Sequence, residues 1–281
     1  MKIFEAIKEA VNILKDTETP QLDAEVLLCF LLKRERIYLY LNRIEELDVD
    51  IVDKYFKLVD RRKRGEPTQY ITGHQEFMSL DFYVEPGVLI PRGDTEILVE
   101  EVLKKIESLK KPVVADVGCG SGAISVSIAK YKDDAVVYAL DVMPIPLEIT
   151  KINAEINGVN DRVIVLKSDK LAALEEKIEE IDVIVSNPPY IREDVIKTLM
   201  TEVRDYEPYT ALSGGEDGLY FYRKITKQAA RLLKNGGLLA YEIGHDQRED
   251  VTSILVENGF ENIEFFKDYA GHDRVVLGWK K

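Results

Sequence analysis

The chain has 281 residues, 46% of them hydrophobic and 32% charged, with a formal net charge of −13; these values suit a soluble protein with one large domain and one smaller one. So acidic a surface argues against stable, salt-dependent binding to nucleic-acid backbones, though not against a local basic patch. No uncharged apolar run of about 18 residues is present to span a membrane, the opening MKIFEAIKEAVNILKD lacks the apolar core of a signal peptide, and Cys29 and Cys119 read as reduced thiols of a cytoplasmic protein.

Residues 1–64 carry helical periodicity only. Ile3, Ile7, Ala10 and Leu14 recur at helical spacing. Pro20 suits the first turn of a second helix that runs through the apolar segment 24–32. A further helix is expected over 49–64, with Val52, Phe56 and Val59 on one face. This stretch is nearly neutral, so the excess acid lies beyond it. The run Arg61-Arg62-Lys63-Arg64 reads as a solvated helix end, where cations favour the dipole, with a partner-binding patch as the alternative.

Residues 65–93 are punctuated by Gly65, Pro67, Gly73, Pro86 and Gly87 and read as a linker. Within it, 77–84 alternates like a short hairpin, and Val88-Leu89-Ile90 stops at Pro91. From 94 to 281 helices and strands alternate. Helices are expected over 94–110, 122–131, 144–157, 216–233 and 246–258. Strands are expected over 112–117, 135–140, 163–166, 181–186 and 238–243. Such alternation specifies a parallel sheet covered on both faces. Two last strands near 263–266 and 274–278 are joined by too short a connection for a parallel crossover, so they form an antiparallel hairpin. The expected fold is thus a Rossmann-like α/β sheet with a C-terminal hairpin, preceded by a small helical domain. Segment 191–215, with Glu202, Asp205 and Glu207, reads as a long loop that lids a substrate channel.

Two motifs carry chemistry. The first strand of the sheet runs into Asp116-Val-Gly118-Cys119-Gly120-Ser121-Gly122-Ala123. Glycines at a strand-to-helix turn let the backbone approach a ligand without Cβ clashes. Asp141, 19 residues after Gly122, ends the next strand and can accept hydrogen bonds from both hydroxyls of a ribose. Gly118-x-Gly120-x-x-Ala123 also fits a dinucleotide fingerprint, and a ligand-free turn is the bland alternative. The carboxylate of Asp116 suits the cationic methionine end of S-adenosylmethionine better than a pyrophosphate. After the third strand, Asp169 can accept from an adenine amino group, or the Ser168-Asp169 pair can cap the next helix.

The second motif is Asn187-Pro188-Pro189-Tyr190, where the strand over 181–186 stops. Two prolines stiffen the backbone and leave its carbonyls as acceptors. An amide or aromatic amine nitrogen is a poor nucleophile because its lone pair is delocalised. Acceptors on both of its N–H bonds orient it and stabilise the positive charge that builds during attack. The Asn187 side-chain oxygen and the Pro188 carbonyl suit that task, and Tyr190 can lie against the flat target. A Pro-rich strand exit with Tyr190 at a core edge is the alternative. Arg92 and Glu96 flank a strand-to-helix passage and are expected to line the site, an ordinary helix-start ion pair being the other reading. His74, His245 and His272 lack ligand spacing, so no metal is expected.

From about residue 67 onward, and more loosely through the N-terminal helices, the sequence resembles the release-factor glutamine methyltransferases, the PrmC/HemK family. The matching pieces are Pro91-Arg-Gly-Asp-Thr-Glu96, 116–122, Asp141, Val185-Ser-Asn-Pro-Pro-Tyr-Ile191 and Tyr206-Glu-Pro208. They continue through Ala211-Leu-Ser-Gly-Gly-Glu-Asp-Gly-Leu219, Glu242-Ile-Gly244, and Lys267-Asp268 with Gly271-x-Asp-Arg274. The Asn-Pro-Pro-Tyr tetrad alone is shared with DNA adenine methyltransferases, so adenine-N6 methylation is the alternative activity. The resemblance implies methyl transfer from S-adenosylmethionine to the side-chain amide (N5) of the Gly-Gly-Gln glutamine in class-1 peptide-chain release factors. It implies cofactor contacts at Gly118, Cys119, Gly120, Ser121, Gly122, Asp141 and Asn187, and a glutamine site at Asn187, Pro188, Pro189 and Tyr190. It implies that residues 1–64 help hold the release factor. Lys170 stands where the family often has a bulky residue, and Gly93 where it usually has proline.

Overall fold

The computed structural model describes residues 1–176 and 180–281, in two compact units. The helical unit comprises Met1–His74 together with Met200–Tyr206. It holds α1 (Ile3–Ile13), α2 (Pro20–Leu32), α3 (Arg36–Leu41), α4 (Val49–Lys63) and α5 (Thr68–Thr72). Pro20 starts α2, and Lys33 ends it in the left-handed region at φ 53°. Its core gathers Ala6, Ala10, Leu14, Leu27, Leu28, Tyr55, Val59 and Ile71. The Tyr55 hydroxyl donates to the Ala24 carbonyl at 2.9 Å, so its burial leaves no polar atom stranded.

Two expectations change here. The unit extends past residue 64 because Pro67 and Gly73, which read as linker punctuation, cap α5; Gly73 sits at φ 69°. The basic run is not wholly solvated either. Arg61 and Arg64 pair locally with Glu66 and Asp60. Arg62 is 4% exposed and donates to Asp23 at 2.8 Å and to Glu202 at 2.6 Å. Asp23 also accepts from Thr17, Thr19 and Thr68. A cation among this many acceptors can be buried, which periodicity does not reveal.

The sheet unit comprises Gln75–Leu199 and Glu207–Lys281. It opens on a hairpin, β1 (His74–Phe77, whose first residue belongs to the helical unit) and β2 (Leu80–Tyr83), which turns through Met78 and Ser79, both at positive φ. Next come α6 (Gly93–Ile106), β3 (Val113–Val117), α7 (Ala123–Tyr131), β4 (Val136–Asp141), α8 (Pro144–Ile156) and β5 (Val163–Lys167). A single 3-10 turn, Ala172–Leu174, precedes β6 (Ile181–Ser186). Segment 191–215, expected as a long loop, contains three short helices: α9 (Glu193–Ile196), α10 (Thr201–Tyr206, in the helical unit) and α11 (Tyr209–Leu212). Then follow α12 (Tyr220–Leu232), β7 (Leu233–Glu242), α13 (Arg248–Glu257), β8 (Phe260–Lys267) and β9 (Asp273–Lys280). β7 starts earlier than expected because the Gly236-Gly237 pair lies inside the strand, where the pairing register to β6 shifts, rather than before it.

The strand order is β5-β4-β3-β6-β7-β9-β8. The first five are parallel, and β9 runs antiparallel between β7 and β8, as the short connection required. One face buries a cluster that includes Leu98, Val102, Val126 and Val137; the other buries Leu140, Ile184, Tyr222 and Ile225. The chain winds outward from β3 to β4 and β5, then returns to place β6 on the other side of β3. The register Val114↔Val183 and Asp116↔Val185 aligns these two strands. Their carboxyl ends therefore open side by side at the topological switch point, where open α/β sheets bind ligands.

Candidate active site

The glycine-rich turn follows β3 and the Asn-Pro-Pro-Tyr tetrad follows β6, so the switch point brings both motifs to one cavity of about 490 Å³. Gly118, Gly120, Asp141, Asp169, Lys170, Asn187, Pro188 and Pro189 all line it. Its walls are otherwise largely apolar, with Leu89, Leu140, Met143, Pro146 and Phe221, and Pro208, Tyr209, Thr210, Ala211 and Ser213 close one side. A cavity of this size, apolar with a few fixed polar groups, suits a nucleoside-sized ligand.

Gly118, Gly120 and Gly122 have φ of 76°, 56° and 80°, which side chains rarely adopt. A Cβ at Gly122 would also stand 2.9 Å from the Thr150 side chain. The turn is held from beneath by α8. Thr150 donates to the Gly120 carbonyl at 3.2 Å, and Asn153 donates to the Ser121 carbonyl at 2.8 Å. Asn153 also exchanges hydrogen bonds with the backbone of Tyr83, tying the hairpin to the turn. Cys119 and Ser121 are buried and do not line the cavity, and the Cys119 sulfur accepts from Thr150 at 3.3 Å. Asp141 accepts from the Gly120 and Met143 N–H groups at 3.2 and 2.9 Å. These bonds fix its carboxylate on the cavity wall and oppose, without cancelling, the upward push that burial gives its pKa.

Asp116 lies under the turn, with no exposure and outside the lining. One of its oxygens accepts from Ser125 N–H and hydroxyl; the other, Oδ1, has no partner among the described residues. Burial pushes its carboxyl up to about 7. After β5, Ser168 Oγ accepts the Ala173 N–H at 3.0 Å, while Asp169 is exposed at the cavity and pairs with Lys170 at 2.7 Å. The Lys170 ammonium lies 5.4 and 5.5 Å from the ring centroids of Tyr220 and Phe221.

Asn187 reaches the cavity edge, and its Nδ2 donates to Thr95 Oγ1 at 3.2 Å. Thr95 in turn donates to Glu242 Oε2 at 2.6 Å. Tyr190 turns its hydroxyl inward to Glu242 Oε1 at 3.2 Å, with Arg274 Nη1 3.4 Å away, and does not line the cavity. Burial pushes the Glu242 carboxyl up, opposed by Thr95 and Arg274. The tetrad backbone is clamped from outside. Gln247 donates to the Tyr190 and Gly218 carbonyls, and a Cβ at Gly218 would stand 2.5 Å from the Tyr190 carbonyl.

Arg92 and Glu96, expected to line the site, do not pair with each other. Arg92 makes two 2.7 Å bonds to the buried carboxylate of Glu207, and Glu96 accepts the Met78 N–H at 2.6 Å. Neither lines the cavity. Among the described residues no cluster of His, Cys, Asp and Glu could hold a metal, and no helix is long and apolar enough to cross a membrane. Reading the residues did not single out roles for Thr95, Thr150, Asn153 and Gln247. The one available signal was the polar pair Thr150 and Asn153 on the otherwise apolar buried face of α8.

Residues 5–73 match the family of the PrmC N-terminal domain, and residues 90–204 the methyltransferase small domain. A release factor glutamine methyltransferase of Clostridium acetobutylicum is 50% identical over 279 residues, 99% of this chain and 98% of that protein. One of Moorella thermoacetica is 44% identical, covering 100% of this chain and 99% of its own length. Among solved structures, the hMettl16 catalytic domain in complex with MAT2A 3'UTR hairpin 6 overlays with a TM-score of 0.61 at 14% identity, covering 90% of this chain and 92% of that one. A T. thermophilus 16S rRNA methyltransferase in complex with AdoMet and guanosine gives 0.54 at 19% identity, covering 74% of this chain and 50% of that one. Likeness at such identities shows the fold alone. The full-length relatives, together with two motifs converging on one cavity, show that this chain belongs to the release factor glutamine methyltransferase family.

Proposed function

We propose that the protein transfers a methyl group from S-adenosylmethionine to the side-chain amide nitrogen (N5) of the glutamine in the Gly-Gly-Gln motif of class-1 peptide-chain release factors. The observation that carries this reading is Asn187. Its amide nitrogen is engaged by Thr95, which leaves its oxygen as an acceptor at the cavity that Asp141 and the glycine turn share.

The cavity fits the methyl donor by the chemistry of its groups. Asp141 offers acceptor oxygens for ribose hydroxyls, Asp169 an acceptor for an adenine amino group, and the glycines an unobstructed backbone. Cys119, Ser121, Gly122 and Asp116 support that turn from behind, and Lys170 borders Asp169. S-adenosylmethionine supplies an electrophilic methyl group on a sulfonium. The chain's own part is to bind, orient and stabilise. The Asn187 oxygen and the Pro188 carbonyl hold the two N–H bonds of the target amide, so that charge building on its nitrogen meets fixed dipoles. The stiff Pro188-Pro189 backbone keeps those acceptors in place, and such positioning contributes roughly 7–11 kcal/mol in favourable cases. Tyr190, held by Glu242, acts behind the tetrad. Arg92 and Glu96 serve the substrate site by fixing the segments beside it, and residues 208–213 form its wall.

Adenine-N6 methylation would use the same acceptors, but the names of the full-length relatives do not favour it. The cytoplasm, where translation terminates, is the setting this substrate requires. The test mixes the purified protein with labelled S-adenosylmethionine and a release factor, the same factor with its Gly-Gly-Gln glutamine replaced, or duplex DNA. Label on the first alone is expected. Label on DNA only, or equal label on the glutamine-less factor, would overturn the reading.

A further inference from the structure

The Thr95 hydroxyl has one proton and two polar neighbours, Glu242 Oε2 at 2.6 Å and the Asn187 side-chain nitrogen at 3.2 Å. Glu242 is 2% exposed at the end of β7, and its other oxygen accepts from the Tyr190 hydroxyl. In its ionised form, which Arg274 and the hydroxyls of Thr95 and Tyr190 favour against burial, Glu242 can only accept. Thr95 must therefore give its proton to Glu242, which leaves only lone pairs facing Asn187. The Asn187 amide must then present its NH2 to Thr95 and its oxygen to the opposite side. Without this chain of donors and acceptors the two branches of an amide are nearly equivalent in shape, and either can face a cavity.

We propose that Thr95 and Glu242 are positioning residues that lock the flip state of the Asn187 amide, so that an acceptor rather than a donor faces the target nitrogen. The proposal rests on the methylation reading above. A flipped Asn187 would point its NH2 at the target's N–H, donor against donor, and the charge developing on that nitrogen would meet the wrong end of the dipole. Glu242 serves both halves of the tetrad. Its Oε2 reads through Thr95 to Asn187, and its Oε1 holds Tyr190. Arg274, near the Tyr190 hydroxyl and paired with Asp268 at 3.0 Å, supplies a cation behind this buried carboxylate.

Thr95→Val keeps the shape of the side chain and removes the hydroxyl; Thr95→Ser restores the hydroxyl. Nuclear magnetic resonance of the free, asparagine-labelled enzyme reads the lock directly, with the Asn187 amide signals assigned by their loss in Asn187→Ala. In the parent these two proton signals should be distinct and slow to exchange. In Thr95→Val they should move and exchange faster, and in Thr95→Ser they should return. In turnover, Thr95→Val should lower kcat by about tenfold or more, less than the roughly 100-fold expected for removing a preorganised group outright. Thr95→Ser should recover to within about threefold of the parent, and Thr95→Val should cost under about twofold in an Asn187→Ala background, because it acts through Asn187. Unmoved Asn187 signals in Thr95→Val would overturn the lock without reference to any substrate. A freed amide with unchanged kcat, or an equal loss in both backgrounds, would overturn its part in catalysis. A parent enzyme that does not methylate the release factor would count against the substrate reading, while the free-enzyme spectra still decide the lock.

Discussion

Asp116 carries a carboxylate into a place with no solvent exposure, and one of its oxygens has no hydrogen-bond partner among the described residues. Burial dominates its titration, Ser125 opposes it, and Asp141 adds a like charge. The folded-state value is about 7, against 3.8 for the ordinary group. A raised carboxyl pKa means that the folded protein holds this proton more tightly than the unfolded chain does. The stability that follows is fully present below about pH 3.8 and is lost as pH rises through about 7. Asp116→Asn keeps the shape and removes the titration. The stability of the parent relative to this variant should therefore decline between about pH 4 and about pH 7 and stay level above. Urea midpoints of both proteins across that range check this. A difference independent of pH would show that Asp116 titrates normally. The sequence placed a carboxylate at this turn, but not its depth: the same residue on the open side of β3 would have been an ordinary acid.

At the scale of elements, the parallel strands and the antiparallel hairpin at the end were legible because periodicity and connection length suffice for them. Asp141 and the run Asn187-Pro188-Pro189 were legible as cavity residues because each follows or ends a strand at the carboxyl edge of the sheet, whereas Tyr190 turns inward. What was not legible depends on contacts between elements distant in sequence. Arg92 illustrates this. In sequence it neighbours Glu96, but in space it holds Glu207, 115 residues away. That pair, with the Glu207 side chain 1% exposed, anchors the start of the segment 208–213 that walls the cavity. Arg92→Ala should leave the sheet intact and loosen this wall. The dissociation constant for S-adenosylmethionine should rise by about fivefold to tenfold, roughly 1–1.4 kcal/mol. Arg92→Lys should fall between, since an ammonium keeps the charge but not the two-pronged geometry. Calorimetric titration of the three proteins decides it. Unchanged affinity in Arg92→Ala would mean that the wall stands without this pair.

The whole molecule has separate cores in its helical and sheet units, and the chain enters the helical unit twice. The second entry, Met200–Tyr206, is too short to hold itself there by apolar burial, and none of the residues of α10 is buried. Its attachment is polar: Glu202 to Arg62, and the Tyr206 hydroxyl to the Arg64 carbonyl at 3.0 Å. Arg62 thus neutralises Asp23 inside the helical core and fastens a segment borrowed from the other end of the sequence. Removing it strands Asp23, which is 5% exposed and depends on this cation for its charge balance. Breaking a buried pair by deleting one partner costs about 3–5 kcal/mol. Because the cores are separate, that loss should fall on one of them. In Arg62→Ala, amide hydrogen exchange should accelerate across α2, α4, α5 and α10, while β3 and β6 keep their protection and S-adenosylmethionine binds as before. Equal loss of protection in both units would show that they unfold as one. Unchanged protection in α2 and α4 would show that the threonines around Asp23 suffice without the arginine.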